Sequence, residues 1–336
     1  MNGLVLRLTA VMGLCALSLA ACDSGSPSKQ TSEASPPPAA APAKACDRDC
    51  LQGMVDQFLA AMVAHDSSQA PMASDVRYTE NGVEMGLKDG MWGTASNLPT
   101  TKIYAAEPDD GSVVFYGLMK ESGEPVVVCI RLRVADRKIT EAEALVARPG
   151  ERLYDPEGMT PQPVFDEVED PATRTDSQDL IDIANKYFDG IVQGTGSFVP
   201  FDDACIRIEN GEQTVLNPKH GTGVSAENGT FNLSAMTCKD QFNTGFWRYI
   251  TRVQPRRYLL TDPERGLVFG VVCFDHAGTV TSVDVPNYGK VMMPARLLHP
   301  YESIIGELFK VRNGKILKIE ALVISAPYKM HSGWPD

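Results

Sequence analysis

An internal duplication constrains the fold of this 336-residue chain more than any other feature of its sequence. The repeated landmarks are a strand ending in Glu-Asn-Gly, a tryptophan sixteen residues before the proline of a turn, an apolar strand after that turn, and a last strand ending in Glu-Ala-Leu-Val. A repeat of this kind predicts two related domains in tandem. The paired segments are Glu80–Gly82 with Glu209–Gly211, Trp92 with Trp247, Val113–Tyr116 with Leu267–Cys273, and Glu143–Val146 with Glu320–Val323.

The two copies differ in length, and the difference lies in the second copy. The offset between equivalent residues is 129 at Glu-Asn-Gly, 155 at the tryptophan and 177 at the last strand. The second copy has therefore gained 26 residues between Gly211 and Trp247, and 22 between Asp275 and Val311. Binding and catalytic groups concentrate on long loops held by a rigid scaffold, so we expect the functional site in the second copy.

The first 45 residues read as an export signal followed by a tether. Arg7 and the apolar run Leu8–Leu19 are typical of a secretory signal, predicted to span residues 1–21. The end of this run, Leu19-Ala-Ala-Cys22, resembles the bacterial lipobox, which implies cleavage before Cys22 and a lipid on that cysteine. Residues 22–45 are rich in Ser, Pro and Ala and predict a flexible tether. We therefore expect a protein of the bacterial cell envelope, anchored by lipid and facing the periplasm, with the choice of inner or outer membrane left open.

Export makes the remaining cysteines candidates for disulfides. We favour Cys205–Cys238, which would tie the first insertion to the sheet. Cys46–Cys50 is the next pair, with Cys129 as a competing partner, and spacing alone does not settle the connectivity. Cys129 and Cys273 fall inside apolar strands and are interpreted as buried thiols.

Composition and motifs exclude several classes of function. The net charge is −12 and basic residues do not cluster, so nucleic acid is not an expected partner. The five histidines are scattered, without the spacing of a metal site. No Gly-x-Ser-x-Gly nucleophile elbow is present. The glycine-rich stretch at Gly194 follows a helix rather than a strand, which is the wrong context for a phosphate-binding loop. We expect neither a metal nor another cofactor.

Each copy reads as a helix, a short hairpin, a second short helix and four antiparallel strands. The predicted domains are residues 46–147 and 177–336, joined by a proline-rich acidic linker over 148–176. The expected fold class is α+β, with two tandem cone-shaped domains, each a curved antiparallel sheet around a long N-terminal helix. The mouth of such a cone admits one small apolar ligand.

This order of elements resembles the nuclear-transport-factor-two-like superfamily, and most closely its SnoaL-like polyketide-cyclase branch. Segments of the second copy are similar to uncharacterised bacterial and fungal members of that group. The resemblance implies a carboxylate or histidine base inside the cone, facing tyrosine or acid donors, and cofactor-independent chemistry. The superfamily also contains pure binding modules, and its domains often pair through their sheets, so a homodimer is a candidate assembly. The similar segments are Arg256–Tyr258, Asp262–Gly266, Phe274–His276, Glu307–Lys310 and Pro327–Trp334.

Polar residues found only in the second copy are the first candidates for a catalytic role. His276 replaces Glu121 of the first copy and could act as a base oriented by Asp275. The alternative is a turn with two exposed polar residues, because neighbouring strand residues face opposite ways. Arg256 and Arg257 begin a strand, so one of them should face the cone as an oxyanion partner, unless both are surface residues.

Aromatic residues near the expected mouth of the cone are candidate ligand contacts. They are Trp247, Tyr249, Tyr258 and Tyr301, and plain packing is the alternative for each. Residues that match between copies favour a structural role, although a buried glutamate can also be a base. The matched pairs are Glu143 with Glu320, Trp92 with Trp247, and Tyr104 with Tyr258.

These observations favour a degenerate first domain and a second domain that binds a small apolar or aromatic molecule. The leading hypothesis adds acid–base isomerisation, dehydration or lyase chemistry. The rival is a non-catalytic ligand- or partner-binding lipoprotein of the envelope, and a cell-surface hydrolase is the third alternative.

Overall fold

The duplication appears in the structure as two six-stranded sheets with the same strand order. In the computed structural model the described residues are 46–221, 223–330 and 332–335. The predicted signal peptide, the lipidation site Cys22 and the tether lie outside them. Among the described residues, no helix is long and apolar enough to cross a membrane. Both repeats fall within one compact unit.

The first repeat is an α+β unit with one long helix. Helix α1 begins after Asp47, whose side chain accepts a hydrogen bond of 3.0 Å from the amide of Cys50 and caps the helix. Its sheet has the order β2-β1-β6-β5-β4-β3, and only the β1–β6 pair is parallel. The elements are α1 (Arg48–Val63), β1 (Met72–Glu80), β2 (Val83–Glu84), α2 (Met91–Thr94), β3 (Ala95–Glu107), β4 (Ser112–Glu121), β5 (Glu124–Ala135) and β6 (Lys138–Ala147).

The second repeat has the same plan with added segments. Helix α3 is capped by Asp176 and ends at Gly194, whose φ of 68° lies in the left-handed region that glycine adopts without strain. The sheet order is β11-β12-β15-β16-β7-β8, with β16 and β7 parallel. The elements are α3 (Ser177–Gln193), β7 (Phe201–Glu209), β8 (Glu212–Gln213), β9 (Val224–Ala226), β10 (Gly229–Phe231), α4 (Cys238–Asn243), β11 (Arg252–Asp262), β12 (Leu267–His276), β13 (Ser282–Val285), β14 (Gly289–Met292), β15 (Tyr301–Arg312) and β16 (Lys315–Ala326).

The repeated Glu-Asn-Gly landmark has a structural cause. Asn81 has a φ of 49°, and its side-chain amide exchanges two hydrogen bonds with the backbone of Val146. Asn210 has a φ of 50° and makes the same two bonds with Val323. Asparagine tolerates the left-handed region and supplies both a donor and an acceptor. In each repeat, this asparagine therefore holds one end of the parallel strand pair, which is β1 with β6 in the first repeat and β7 with β16 in the second.

The two insertions of the second repeat pack against each other. The first supplies β9, β10 and α4, and the second supplies the β13–β14 hairpin. The amides of Glu227 and Asn228 donate to the carbonyls of Lys290 and Tyr288, each at 2.9 Å. The predicted disulfide Cys205–Cys238 is confirmed and ties α4 to β7.

The other cysteine predictions also hold. Cys46–Cys50 is a disulfide at the start of α1. Cys129 and Cys273 are buried free thiols, and both lie between the two sheets. The alternative disulfide, in which Cys129 pairs with Cys46 or Cys50, is therefore wrong.

Each sheet is covered on both faces. One face packs on α1 or α3, and the opposite faces of the two sheets form a shared apolar core that includes Tyr116 and Phe269. All ten residues of β12 are buried as a result. The sequence suggested that two chains could pair through their sheets; here the sister sheet of the same chain already covers these faces.

A buried ion pair crosses this inter-sheet core. The guanidinium of Arg257 on β11 contacts the carboxylate of Glu143 on β6 at 2.5 and 3.3 Å. The side chains are 8% and 3% exposed, so neither charge has water as an alternative partner. Loss of one member leaves an uncompensated buried charge, which costs more than replacement of the whole pair.

This ion pair gives a test of how the repeats are joined. We expect Glu143→Leu and Arg257→Met each to lower the free energy of unfolding by about 3–5 kcal/mol. The double variant should lose much less than the sum, because no charge is left buried. Urea unfolding of the four proteins measures this coupling. Additive losses in the free energy of unfolding would contradict a direct ion pair between Glu143 and Arg257.

Candidate functional site

A cavity lies between α3 and the sheet of the second repeat. Its volume is about 70 Å³, well below the roughly 300–1,000 Å³ of drug-sized ligand sites. The wall is mainly aromatic and aliphatic, with a small group of charged side chains. The lining residues are Arg152, Tyr187, Ile191, Arg207, Glu209, Trp247, Tyr249, Ile250, Phe274, His276, Tyr301, Ser303, Ile305, Glu307, Ala321, Val323 and Ser325.

Glu307 is the acid of the cavity. It lies on β15, where alternation turns Tyr301, Ser303, Ile305 and Glu307 to the same face of the sheet. The side chain is 3% exposed and lies close to Tyr187. Burial raises the pKa of Glu307 to about 8, with the nearby charge of Glu209 acting in the same direction and Tyr187 and Arg207 acting against it. The carboxyl group is therefore protonated at neutral pH and can donate a hydrogen bond into the cavity.

Glu209 has the opposite character. It lies at the end of β7 and accepts hydrogen bonds from Arg207 at 2.7 Å and from Arg152 at 3.3 Å. Although burial alone would raise it, the charges of Arg207 and Arg152 hold the pKa of Glu209 below its ordinary value. The cavity thus contains one ionised and one neutral carboxyl group, which is a common arrangement for separating acid and base roles.

Arg207 is fixed in place by several partners. Its guanidinium also donates to Thr214 at 3.0 Å and to Gln241 at 2.6 Å, and it lies 4.8 Å from the ring centroid of Trp247. Gln241 belongs to α4, so the disulfide-bonded insertion helps to position this charge.

His276 stands in an aromatic stack at the end of β12. Its ring lies parallel to Tyr301, with centroids 4.0 Å apart, and 5.4 Å from Tyr249 on the other side. Burial, together with the charge of Arg152, lowers the pKa of His276 to about 3. The ring is therefore neutral at neutral pH, and its Nδ1 has no hydrogen-bond partner among the described residues.

The structure brings together half of the residues predicted for the site. His276, Trp247, Tyr249 and Tyr301 line the cavity. Tyr258 does not; its hydroxyl donates to Asn185 on α3 at 2.8 Å. The equivalent Tyr104 donates to Asp56 on α1 at 2.7 Å, which explains why this tyrosine is repeated.

Neither predicted arginine reaches the cavity. Arg256 and Arg257 face opposite sides of the sheet, as strand alternation predicts. Arg256 lies on the helix side but is held by Asp189 on α3 at 2.7 Å, while Arg257 faces the sister sheet. The expectation that one of the two arginines lines the cavity as an oxyanion partner is therefore wrong.

Asp275 does not orient His276. The two residues are adjacent on β12 and face opposite sides of the sheet. The carboxylate of Asp275 contacts Arg252 at 3.2 Å, and Asp275 lies opposite Glu302 on β15. The alternative of an exposed turn is also wrong, since Asp275 and His276 are 2% and 4% exposed.

Sequence reasoning missed four ionisable residues of the cavity. Glu307 could have been found as an acid flanked by apolar residues in the middle of strand β15. Glu209 belongs to the repeated Glu-Asn-Gly landmark and would be assigned to the fold by that criterion. Arg207 is placed by the insertion, and Arg152 lies in a segment interpreted as a spacer. Among the described residues, no group of three or more His, Cys, Asp or Glu side chains could hold a metal ion.

Comparisons with known proteins add little about activity. A family model described as a domain of unknown function, DUF8021, matches residues 173–323, less than half of the chain. No curated protein is significantly similar to the chain.

Three solved structures are similar at low identity. SalBIII, an epoxide hydrolase/cyclase-like enzyme of pyran ring formation in salinomycin, shares 12% identity over 46% of this chain and 98% of its own, with a TM-score of 0.28. AclR from Streptomyces galilaeus shares 15% over 31% and 82%, with a TM-score of 0.25. PrhC from Penicillium brasilianum NBRC 6234 shares 13% over 45% and 82%, with a TM-score of 0.24. At TM-scores this low, the similarity does not bear on the activity of this chain.

The protonation of Glu307 predicts how stability depends on pH. An unfolded glutamate ionises near 4.5, whereas Glu307 holds its proton to about pH 8 when folded. The folded state therefore binds one more proton between these values, and the free energy of unfolding falls by roughly 1.4 kcal/mol per pH unit as pH rises.

We expect Glu307→Gln to reduce this decline. Urea unfolding of the wild type and the variant at about pH 5 and about pH 8 gives the difference in slope. Equal slopes would mean that Glu307 is ionised in the folded protein.

Proposed function

We propose that the protein binds a small aromatic molecule in the cavity of the second repeat and presents a neutral carboxyl group to it. The observation that carries this proposal is Glu307, an acid buried in an apolar strand and turned toward an aromatic-walled cavity. A protonated acid in such a site donates a hydrogen bond to a carbonyl or hydroxyl oxygen of the ligand.

The same geometry supports acid–base chemistry of the isomerisation, dehydration or lyase type. His276 would accept a proton from the carbon beside the ligand carbonyl, the role that the sequence suggested, while Glu307 would donate its proton to the carbonyl oxygen. Arg207 with Arg152 would stabilise the negative charge that this transfer leaves on the carboxylate of Glu307. The two arginines proposed from the sequence are replaced in this role by Arg152 and Arg207.

The proposed location is the bacterial cell envelope, with a lipid on Cys22 and the folded part facing the periplasm. The lipobox-like segment Leu19–Cys22 supports the anchor. The two disulfides support an oxidising compartment. The small ligand is proposed as the partner of the folded part, and the membrane as the partner of the lipid.

A non-catalytic binding module is the second candidate. It is favoured by the low pKa of His276, because a base with a pKa of about 3 removes protons weakly at neutral pH. In this alternative, Glu307 fixes the orientation of the ligand and no bond changes.

The chain offers a matched control for testing Glu307. Glu320 on β16 is also buried, and burial also raises its pKa to about 8. Its neighbours Ile319 and Ala321 face the core under α3, so Glu320 faces the sister sheet instead of the cavity. Glu307→Gln and Glu320→Gln therefore remove the same kind of group on opposite faces of one sheet.

We expect single-ring phenols and aryl ketones to raise the melting temperature of the wild type and of Glu320→Gln. Glu307→Gln should bind these compounds on the order of tenfold more weakly, since an amide N–H is a weaker hydrogen-bond donor than the O–H of a carboxyl group. Thermal-shift titration measures the rise in melting temperature and the affinity of each variant for these compounds. Unchanged binding by Glu307→Gln, or an equal loss in Glu320→Gln, would contradict the proposed role.

Proton exchange separates the two candidate functions. Bound ketones are incubated with the protein in deuterium oxide, and loss of the carbon-bound proton beside the carbonyl is followed by NMR. The acid–base reading predicts exchange that is lost in Glu307→Gln and kept in Glu320→Gln. Binding without exchange would support the non-catalytic module.

A further inference from the structure

The segment Glu151–Asp155, which follows the last strand of the first repeat, contributes to the cavity of the second. Arg152 lies five residues after the end of β6 and is the residue of this segment that lines the cavity wall. The sequence offers no reason for this position, because the segment is the start of a proline-rich linker. The linker between the repeats therefore supplies a charged group to the cavity of the second repeat.

The backbone around Arg152 is held in place by the second repeat. The side-chain amide of Asn210 donates to the carbonyl of Arg152 at 2.8 Å, and the amide of Asp155 donates to the carbonyl of Asn210 at 2.9 Å. A Cβ at Gly211 would lie 1.9 Å from the carbonyl oxygen of Asp155, so the close approach requires glycine. Leu153 has a φ of 59°, a conformation that leucine rarely adopts without tertiary constraint.

Arg152 differs from Arg207 in its exposure. The side chain of Arg207 is 4% exposed and is held by Glu209, Thr214 and Gln241. The side chain of Arg152 is 47% exposed, and its ion pair with Glu209 is long, at 3.3 Å. Its guanidinium therefore lies where the cavity meets solvent and retains donors for an incoming group.

The charges of the cavity do not balance. Two guanidinium groups, Arg152 and Arg207, share the single carboxylate of Glu209. The other titratable residues of the wall are Glu307, His276 and three tyrosines, none of which supplies a negative charge at neutral pH. The site is therefore positive by about one charge, which favours a ligand carrying one negative charge.

We infer that the ligand is a small planar carboxylate, held at the mouth of the cavity by Arg152, with its ring against the stack of Tyr249, His276 and Tyr301. Arginine binds carboxylates through paired N–H donors, which fixes both distance and orientation. The aromatic stack lies beside Arg152, whose charge reaches both His276 and Tyr301. This inference rests on the proposed function and narrows its ligand from aromatic compounds in general to aromatic acids.

The test compares pairs of compounds that differ only in charge. Benzoate and phenylacetate are titrated against benzamide and phenylacetamide, using the purified full chain and isothermal calorimetry. We expect each carboxylate to bind at least about tenfold more tightly than its amide. Arg152→Gln should remove this preference without weakening the amides, and Arg152→Lys should keep part of it, since lysine provides charge without the paired donors.

Arg148→Gln is the matched control. Arg148 pairs with Glu80 of the first repeat at 2.6 Å, and Glu80 is the repeat equivalent of Glu209. The variant removes a similar ion pair from the same stretch of chain, and the carboxylate preference should survive it.

The outcomes separate the inference from the proposed function. If amides and carboxylates bind equally to the wild type, or if Arg152→Gln keeps the preference, the inference is overturned while ligand binding in the cavity stands. If no compound of either kind binds, the proposed function fails and the inference fails with it.

Discussion

The structure depends on sheets that are buried on both faces. Each sheet packs on its own helix and on the sister sheet, so the central strands have almost no access to water. A charged group on such a strand must find a counterion or lose its charge. Arg257 meets Glu143 between the sheets, and Lys310 contacts Glu169 at 2.7 Å together with two backbone carbonyls. Glu307 loses its charge instead, because its carboxyl group keeps the proton.

The same constraint explains how two related repeats come to differ. In the first repeat, the positions of Arg207 and Glu209 are taken by Tyr78 and Glu80. Glu80 accepts from Tyr78 at 2.9 Å, from the amide of Met91 at 2.7 Å and from Arg148 at 2.6 Å, so its oxygens are used inside the fold. In the second repeat, two arginines share one carboxylate and an acid faces open volume. The carboxylate that is used up inside the first repeat therefore lies in the wall of a cavity in the second.

Much of the fold could be predicted from the sequence because its signals are local or repeated. The duplicated landmarks located both sheets, and the position of Cys238 inside the first insertion favoured its pairing with Cys205. The tyrosines at 104 and 258 repeat because each bonds to the helix of its own repeat. The opposite directions of Asp275 and His276 follow from strand alternation.

The rest of the site depends on features that periodicity does not contain. Arg256 is held by Asp189 on α3 and Arg257 by Glu143 on the sister sheet, and both contacts join segments that are far apart in the sequence. The cover on the outer face of the sheet appears only when both sheets are packed. Arg152 enters through a linker whose path is set by Asn210 and Gly211. Glu209 shows that a residue repeated for the sake of the fold can also line a cavity.

The central claim is that a neutral carboxyl group at Glu307 faces the cavity. Carbon-13-detected NMR of the wild type and of Glu307→Gln assigns this carboxyl signal, and a pH titration then follows it directly. We expect the carboxyl signal of Glu307 to titrate with a midpoint of about 8 in the free protein. The midpoint should rise further when a neutral ligand fills the cavity and excludes water. A midpoint near the ordinary value of 4.5 would show that Glu307 is ionised at neutral pH and presents no neutral carboxyl group to the cavity.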